Sequence, residues 1–174
     1  MQIMMKISPF FYCCLLCLVV AGCTNSRHDY PDERRRINAV LDEWNAAAAK
    51  ADYSAYFKSM ADDAVFIGTD AKEYWNKKSF MVWTKPYFDR GRAWSFTSME
   101  RHVYFDAGGK MAWFDELLNT RMKICRGSGV LVKQADGWKI QQYVLSMTVP
   151  NEKTDSVVRM KGPIEDGLIM KLQK

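Results

Sequence analysis

The stretch KMAWFDELLNTRMKICRGSGVLVKQADGWKIQQYVLSMTVP, residues 110–150, carries the pattern that decides the fold. Runs of apolar and β-branched residues predict strands over Lys110–Met122, Gly127–Gln134 and Trp138–Val149. Asp136-Gly137, which separates the last two runs, is a strong signal for a tight hairpin turn. The stretch therefore predicts consecutive antiparallel strands joined by short turns.

The pattern changes from strands to helices towards the N-terminus. Apolar residues recur at helical spacing after Asp32, the candidate N-cap, and they place Trp44 on the buried face of that helix. The other predicted elements are a short helix after Asp52, a strand over Ala64–Gly68, a helix around Lys77–Phe88 and a strand over Trp94–Phe105 that ends at the Asp106–Gly109 turn. This order predicts an α+β fold in which the helices cover one face of a curved antiparallel sheet and enclose a cone-shaped cavity.

The N-terminus has the three parts of an export signal. Lys6 supplies a positive charge, Ile7–Val20 is almost entirely apolar, and the small pair Ala21-Gly22 precedes Cys23. The apolar run is too short and ends too abruptly for a transmembrane span. Residues 1–22 are therefore predicted to be a signal peptide.

Residues 19–23, Val-Val-Ala-Gly-Cys, resemble the lipobox of bacterial lipoproteins. The resemblance implies that the mature chain begins at Cys23 and carries lipid there, with 23–32 as a tether, 33–151 as the domain and 152–174 as a polar C-terminal tail without assigned structure. An ordinary secretory signal with a chance cysteine is the alternative. Thr24, instead of Asp, after the lipidated cysteine fits the outer membrane if the cell is Gram-negative, and the predicted location is the bacterial cell envelope.

The cysteine content and the net charge of the chain limit the functions that it can have. Of the five cysteines, three lie in the signal and Cys23 is assigned to lipid, which leaves Cys125 without an intramolecular disulfide partner. Cys125 is expected to be a small buried core residue, not a nucleophile. The net charge of +5 is mild and the charged residues are interspersed, so no nucleic-acid partner is predicted.

Four motifs in order identify a family resemblance. Phe66–Asp70 (FIGTD), Ala112–Glu116 (AWFDE), Arg126–Leu131 (RGSGVL) and Gly137–Ile140 (GWKI) resemble a SnoaL-like protein of the nuclear transport factor 2-like superfamily over roughly residues 33–151. The resemblance implies a cone-shaped, cystatin-like α+β roll with one open mouth. Relatives include isomerases, polyketide cyclases, dehydratases and non-catalytic binding domains, so the fold constrains function loosely.

Strand alternation predicts which side chains face the cone. Trp113 and Asp115 share a face of one strand, and the expected orientation of this pair is inward, where desolvation would raise the pKa of Asp115 and suit a general acid or base. A surface position, or an ion pair with Arg126, is the alternative. Gln142 shares a face with Ile140 on the last strand, so if Ile140 points inward its amide lines the cavity and would orient a ligand. A hydrogen bond from Gln142 to the helix layer is the alternative.

The remaining candidates complete a predicted binding site. Asp70 lies at a turn near the mouth, where it is expected either to bind a ligand or to cap the turn. Arg126 is expected either to bind an acidic ligand or to form a structural ion pair. His102 is expected to be a hydrogen-bonded residue of a sheet face. The predicted ligand-binding residues are Trp44, Asp70, Trp113, Asp115, Arg126 and Gln142. No metal or cofactor is predicted, because no Cys/His cluster has ligand spacing and no phosphate-binding loop occurs.

Three functions from different classes fit these patterns. The first is a membrane-anchored domain that binds a small apolar or aromatic molecule; one or two of the six tryptophans lining the cone would favour a flat ligand. The second is a cofactor-independent isomerase, cyclase or dehydratase with Asp115 as general acid or base. The third is an interaction module that forms a homodimer through the open sheet face.

Overall fold

The computed structural model describes residues 30–173, so the predicted signal peptide and Cys23 lie outside the described residues. The helices are α1 (Pro31–Ala49), α2 (Tyr53–Lys58), α3 (Lys77–Asp89) and α4 (Thr154–Leu172), with a 3-10 turn over Asn151–Lys153. The strands are β1 (Met60–Ile67), β2 (Tyr74–Asn76), β3 (Thr97–Phe105), β4 (Met111–Thr120), β5 (Lys123–Gln134) and β6 (Gly137–Met147).

The six strands form one curved, open sheet in the order β2-β1-β6-β5-β4-β3. All neighbours are antiparallel except β1 and β6, which pair in parallel. Helices α1 to α3 pack against one face of this sheet, which confirms the predicted α+β fold class. The parallel pair arises because the chain leaves β1 through β2 and α3 before it enters the antiparallel run from β3 to β6.

The helix starts show which local signals were correct. The prediction that Asp32 caps α1 is wrong, because the helix already begins at Pro31 and Tyr30 is the N-cap residue. Proline fits the first helical position because the N–H that it lacks would have no partner there. Asp52 does cap α2, with its carboxylate accepting the Ala55 N–H at 2.9 Å.

Aromatic side chains fill the space between the N-terminal helices and the sheet. The Trp44 ring of α1 lies 4.9 Å from Tyr56 of α2 and 4.8 Å from Tyr143 of β6, measured between ring centroids. Phe66 of β1 stacks on Phe80 of α3 at 4.1 Å. All five rings are at least 94% buried, so the hollow expected between α1, α2 and the sheet is solidly packed.

The C-terminal tail, to which the sequence assigns no structure, forms α4. None of its side chains is buried, and Ile164 and Met160 are 77% and 74% exposed. The helix therefore adds little to the core of the domain. No helix within residues 30–173 combines the length and apolarity needed to cross a membrane.

Candidate functional site

The faces of β4 are opposite to those predicted. Phe114 and Glu116 point into the interior, with 2% and 1% of their surface exposed, whereas Trp113 is 44% exposed. Asp115 shares the outer face with Trp113 and its side chain is 35% exposed. The inward orientation predicted for Trp113 and Asp115 is therefore wrong, because Phe114 fills the interior instead, 6.1 Å from Tyr143.

Gln142 also lies on the outer face, and a β-bulge is the cause. Leu131 of β5 pairs with Ile140, but the neighbouring Val130 pairs with Gln142, so β6 carries one extra residue at this point. The extra residue shifts the alternation, so that Ile140 and Tyr143 are both buried and Gln142 is exposed. The prediction that Gln142 lines the cavity is therefore wrong.

The outer face carries a polar network around Asp115. Asp115 Oδ1 lies 3.3 Å from His102 Nδ1 and 3.7 Å from Arg126 Nη1. The alternatives of a structural ion pair for Arg126 and a hydrogen-bonded sheet-face His102 are thus confirmed. Trp113 stacks on Tyr104 beside this network, with ring centroids 5.9 Å apart. Homodimerisation through this face stays a prediction.

The two other predicted ligand-binding residues have structural roles. The Asp70 carboxylate accepts the Lys72 N–H at 2.9 Å in the turn between β1 and β2, and its side chain is exposed. Trp44 is 1% exposed, which confirms its predicted buried face but places it inside the packed core. Cys125 is also fully buried, as expected for a core residue.

The carboxylate that does face the interior is Glu116, and it is enclosed. Its Oε2 accepts the Arg101 Nε–H at 2.9 Å and forms an ion pair with Arg101 Nη2 at 2.8 Å, and its Oε1 accepts the Tyr143 hydroxyl at 3.5 Å. Burial raises the pKa of the Glu116 carboxyl above its usual range, while the Arg101 guanidinium opposes part of that rise. Arg101 also forms an ion pair with Asp42 at 2.9 Å, so these charged groups link α1 to the sheet.

An open cavity of about 740 Å³ lies beside the aromatic core, between α3, the β1–β2 hairpin and the turn from β4 to β5. Local structure explains its aromatic lining. Phe80, Trp83 and Tyr87 recur at i, i+3 and i+7 and so share one face of α3. Phe66 and Trp75 are paired neighbours on β1 and β2. The lining aromatics are Phe66, Trp75, Phe80, Trp83, Tyr87, Trp94 and Phe96.

Three rings of this lining pack on one another. Trp75 and Trp83 lie 4.6 Å apart at an interplanar angle of 30°, and Phe80 and Trp83 are 14° from parallel. None of the six predicted ligand-binding residues lines this cavity. The helical spacing of Phe80, Trp83 and Tyr87 was the signal in the sequence that could have located it.

The charged lining residues of the cavity are mostly basic. Arg90 follows α3, Arg92 lies two residues further along, and Arg121 lies in the turn between β4 and β5. Glu73 is the acidic residue of the lining, and its Oε2 accepts the Asp70 N–H at 3.2 Å. The site thus combines an aromatic lining with three exposed arginines.

The side chains of residues 30–173 contain no cluster of three or more His, Cys, Asp or Glu that could hold a metal ion.

A curved sheet that packs on three N-terminal helices and leaves an aromatic cavity open at one end defines a nuclear transport factor 2-like fold. The sequence model of the SnoaL-like domain family matches residues 37–150, which is more than half of the chain. The chain belongs to the SnoaL-like domain family. A comparison with the sequences of curated proteins finds no significant match.

Solved structures show the same fold at low sequence identity. A nuclear transport factor 2-like protein of unknown function from Pseudomonas putida KT2440 is 15% identical, with a TM-score of 0.60 over 71% of this chain and 92% of that one. A cystatin-like domain of unknown function from Nostoc punctiforme is 12% identical, with a TM-score of 0.60 over 84% of this chain and all of that one. A ketosteroid isomerase-like protein from Erwinia carotovora is 18% identical, with a TM-score of 0.51 over 70% of this chain and all of that one.

Proposed function

We propose that this protein is a lipid-anchored binding domain that holds a small, flat and largely apolar molecule in its aromatic cavity. The cavity of about 740 Å³, lined by seven aromatic side chains, is the observation that carries the proposal. Its volume is within the range of about 300–1,000 Å³ that is typical of small-molecule sites.

The exposed walls of the cavity favour ligand binding over a purely structural role. Phe80 is fully buried and forms the base, but Trp83 and Tyr87 are 40% and 36% exposed at the opening. A planar ligand that stacks on these rings would remove apolar surface from water, which is favourable at roughly 25 cal/mol per Å². The interior carboxylate, Glu116, is enclosed by protein, so the proposal assigns no acid–base step to it.

We expect the full-length protein to bind 2-naphthamide, a neutral bicyclic probe, and the Trp83→Ala variant to bind it about tenfold more weakly because an exposed stacking wall is lost. Isothermal titration calorimetry measures both dissociation constants, with heats of dilution into the same buffer and detergent subtracted.

Trp113→Ala is the matched control for this experiment. Trp113 is exposed to a similar extent, 44% against 40% for Trp83, but it lies on the outer sheet face away from the cavity. The affinity of this control for 2-naphthamide should equal that of the original chain. Equal weakening by both substitutions would contradict the proposal.

The membrane anchor is the second part of the proposal and rests on the sequence. Cys23 follows an apolar run and a small Ala-Gly pair, which is the arrangement that resembles a lipobox. A single acyl chain binds membranes only marginally, so a stable anchor at Cys23 requires several chains. Such an anchor would hold the cavity close to a membrane on the outer side of the cell.

We expect Cys23→Ala to abolish the incorporation of radiolabelled palmitate into the protein when the full chain is expressed in a bacterium, because the lipid attachment site is lost. Autoradiography of the immunoprecipitated protein measures this change. Cys125→Ala is the control, since Cys125 is buried in the domain, and it should keep the label. A Cys23→Ala protein that still incorporates the label, or an original chain that does not, would argue against lipid attachment at this residue.

A further inference from the structure

We infer that the ligand is a planar aromatic acid, whose carboxylate is bound by Arg90, Arg92 and Arg121 at the mouth of the cavity. This inference rests on the proposed function and specifies the chemical class of the ligand. The ring system would enter between the aromatic walls, and the acidic group would stay at the rim, where it meets both the guanidinium groups and solvent.

The pairing of the arginines is the first argument. Arg35, Arg36, Arg101 and Arg126 each form an ion pair with a carboxylate, at Asp32, Glu33, Glu116 and Asp115 respectively. Within residues 30–173, the three arginines that line the cavity form no such pair. Among the described residues, three guanidinium groups without a carboxylate partner therefore line one opening, whereas Arg159 of α4, which also forms no ion pair and contacts Ser156, lies outside this lining.

The local charge balance is the second argument. The lining contains three arginines and one acidic residue, Glu73, which gives a formal charge of 3 − 1 = +2 at the rim. Glu73 already accepts a backbone hydrogen bond from Asp70, so its carboxylate helps to hold the hairpin. An anionic ligand would reduce the repulsion among the arginines, whereas a neutral ligand would not.

The geometry of the rim suits a carboxylate attached to a ring. The Arg90 guanidinium lies over the Tyr87 ring, 4.9 Å from its centroid, and this stacking holds the charge beside the aromatic wall. Arg121 reaches the cavity from the turn between β4 and β5, so the basic groups come from separate segments. A guanidinium can donate two parallel hydrogen bonds to one carboxylate, which makes arginine well suited to recognise this group.

The test compares two probes that share a ring system and differ in charge. We expect the full-length protein to bind 2-naphthoate about tenfold more tightly than 2-naphthamide, because only the carboxylate forms charge-assisted hydrogen bonds with the arginines. The Arg92→Gln/Arg121→Gln double variant should lose this preference and keep its affinity for 2-naphthamide. Raising the salt concentration should weaken the binding of 2-naphthoate alone.

Arg126→Gln is the matched control, because Arg126 is an exposed arginine on the outer sheet face. It should preserve the preference for 2-naphthoate. Equal affinity of the original chain for both probes would overturn the inference but leave the proposed function intact. If neither probe binds, both proposals fail.

A membrane surface is the other partner that an arginine-rich, aromatic rim could contact. Sedimentation with vesicles of phosphatidylglycerol and phosphatidylcholine tests this possibility in Cys23→Ala, which removes the predicted lipid. The same measurement is made after Arg92→Gln and Arg121→Gln are added to Cys23→Ala. If this variant no longer binds vesicles but still prefers 2-naphthoate, the arginines contact a membrane and the inference is overturned. If the variant loses the preference for 2-naphthoate, the inference is supported.

Discussion

Arg101→Met is expected to lower the free energy of unfolding by about 3–5 kcal/mol at neutral pH, because it leaves the Glu116 carboxylate buried without a compensating charge. Glu116 is 1% exposed, and Arg101 contacts its Oε2 through two nitrogens at 2.8 and 2.9 Å. Urea denaturation followed by circular dichroism measures the loss. The exposed Arg126–Asp115 pair gives the control, since Arg126→Met should lower the free energy of unfolding by less than about 1 kcal/mol.

The loss in the free energy of unfolding caused by Arg101→Met should depend on pH. Burial already raises the folded-state pKa of Glu116 above its ordinary value of 4.5, and loss of the guanidinium raises this pKa further. A raised folded-state pKa means that stability is retained below the ordinary pKa and lost as pH rises towards the folded value. The difference from the original chain should therefore be smaller at pH 4.5 than at pH 7. A difference that does not change over this interval would contradict the assignment.

A double variant separates the ion pair from packing in general. Replacing both partners, as Arg101→Met with Glu116→Leu, removes the buried charge altogether and should recover part of the stability lost in the single variant. A double variant less stable than Arg101→Met would contradict this explanation. It would show that the lost free energy of unfolding comes mainly from the space left by the replaced side chains or from the Tyr143 hydroxyl, and not from the unpaired charge.

Trp44→Ala is the second substitution with a large expected effect, a loss of about 3–5 kcal/mol in the free energy of unfolding. Trp44 is 1% exposed and its ring contacts Tyr56, Phe66 and Tyr143, so removal of the indole leaves a cavity where α1 meets the sheet. Thermal or urea unfolding monitored by circular dichroism measures this loss.

Trp113→Ala is the control for that experiment, because the sequence predicted a similar ligand-binding role for both tryptophans. Trp113 is 44% exposed and makes one ring contact, with Tyr104, so a loss of about 1 kcal/mol or less is expected. Equal losses in the two variants would show that the outer face is buried in solution. That result would favour the predicted homodimer.

Much of the fold could be predicted from local patterns. The helix over Lys77–Asp89 and the strands β3 to β6 occur near their predicted positions, because hydrophobic periodicity and turn residues act over a few neighbours. Two elements were missed for physical reasons. Strand β2 has only three residues and depends on pairing with β1, and α4 contains Pro163 and two glycines that weaken a helical signal.

The site could not be predicted in the same way, because strand alternation gives two faces but does not say which one is buried. On β4, both faces carry an aromatic beside a carboxylate, and the choice between Phe114–Glu116 and Trp113–Asp115 depended on the space left by Tyr143. On β6, the bulge after Ile140 reversed the alternation, and a bulge is a property of the paired strands.

By itself, the sequence determined the α+β class, the order of most elements and the internal position of Trp44, since these follow from hydrophobic periodicity and turn residues. The family followed from the resemblance of four ordered motifs. Tertiary structure alone decided that Glu116 is the buried carboxylate and that the cavity lies beside α3. Arg90, Arg92 and Arg121 line one cavity because the end of α3 and the β4–β5 turn border the same space. Such proximity depends on how distant segments pack, and no local pattern encodes it.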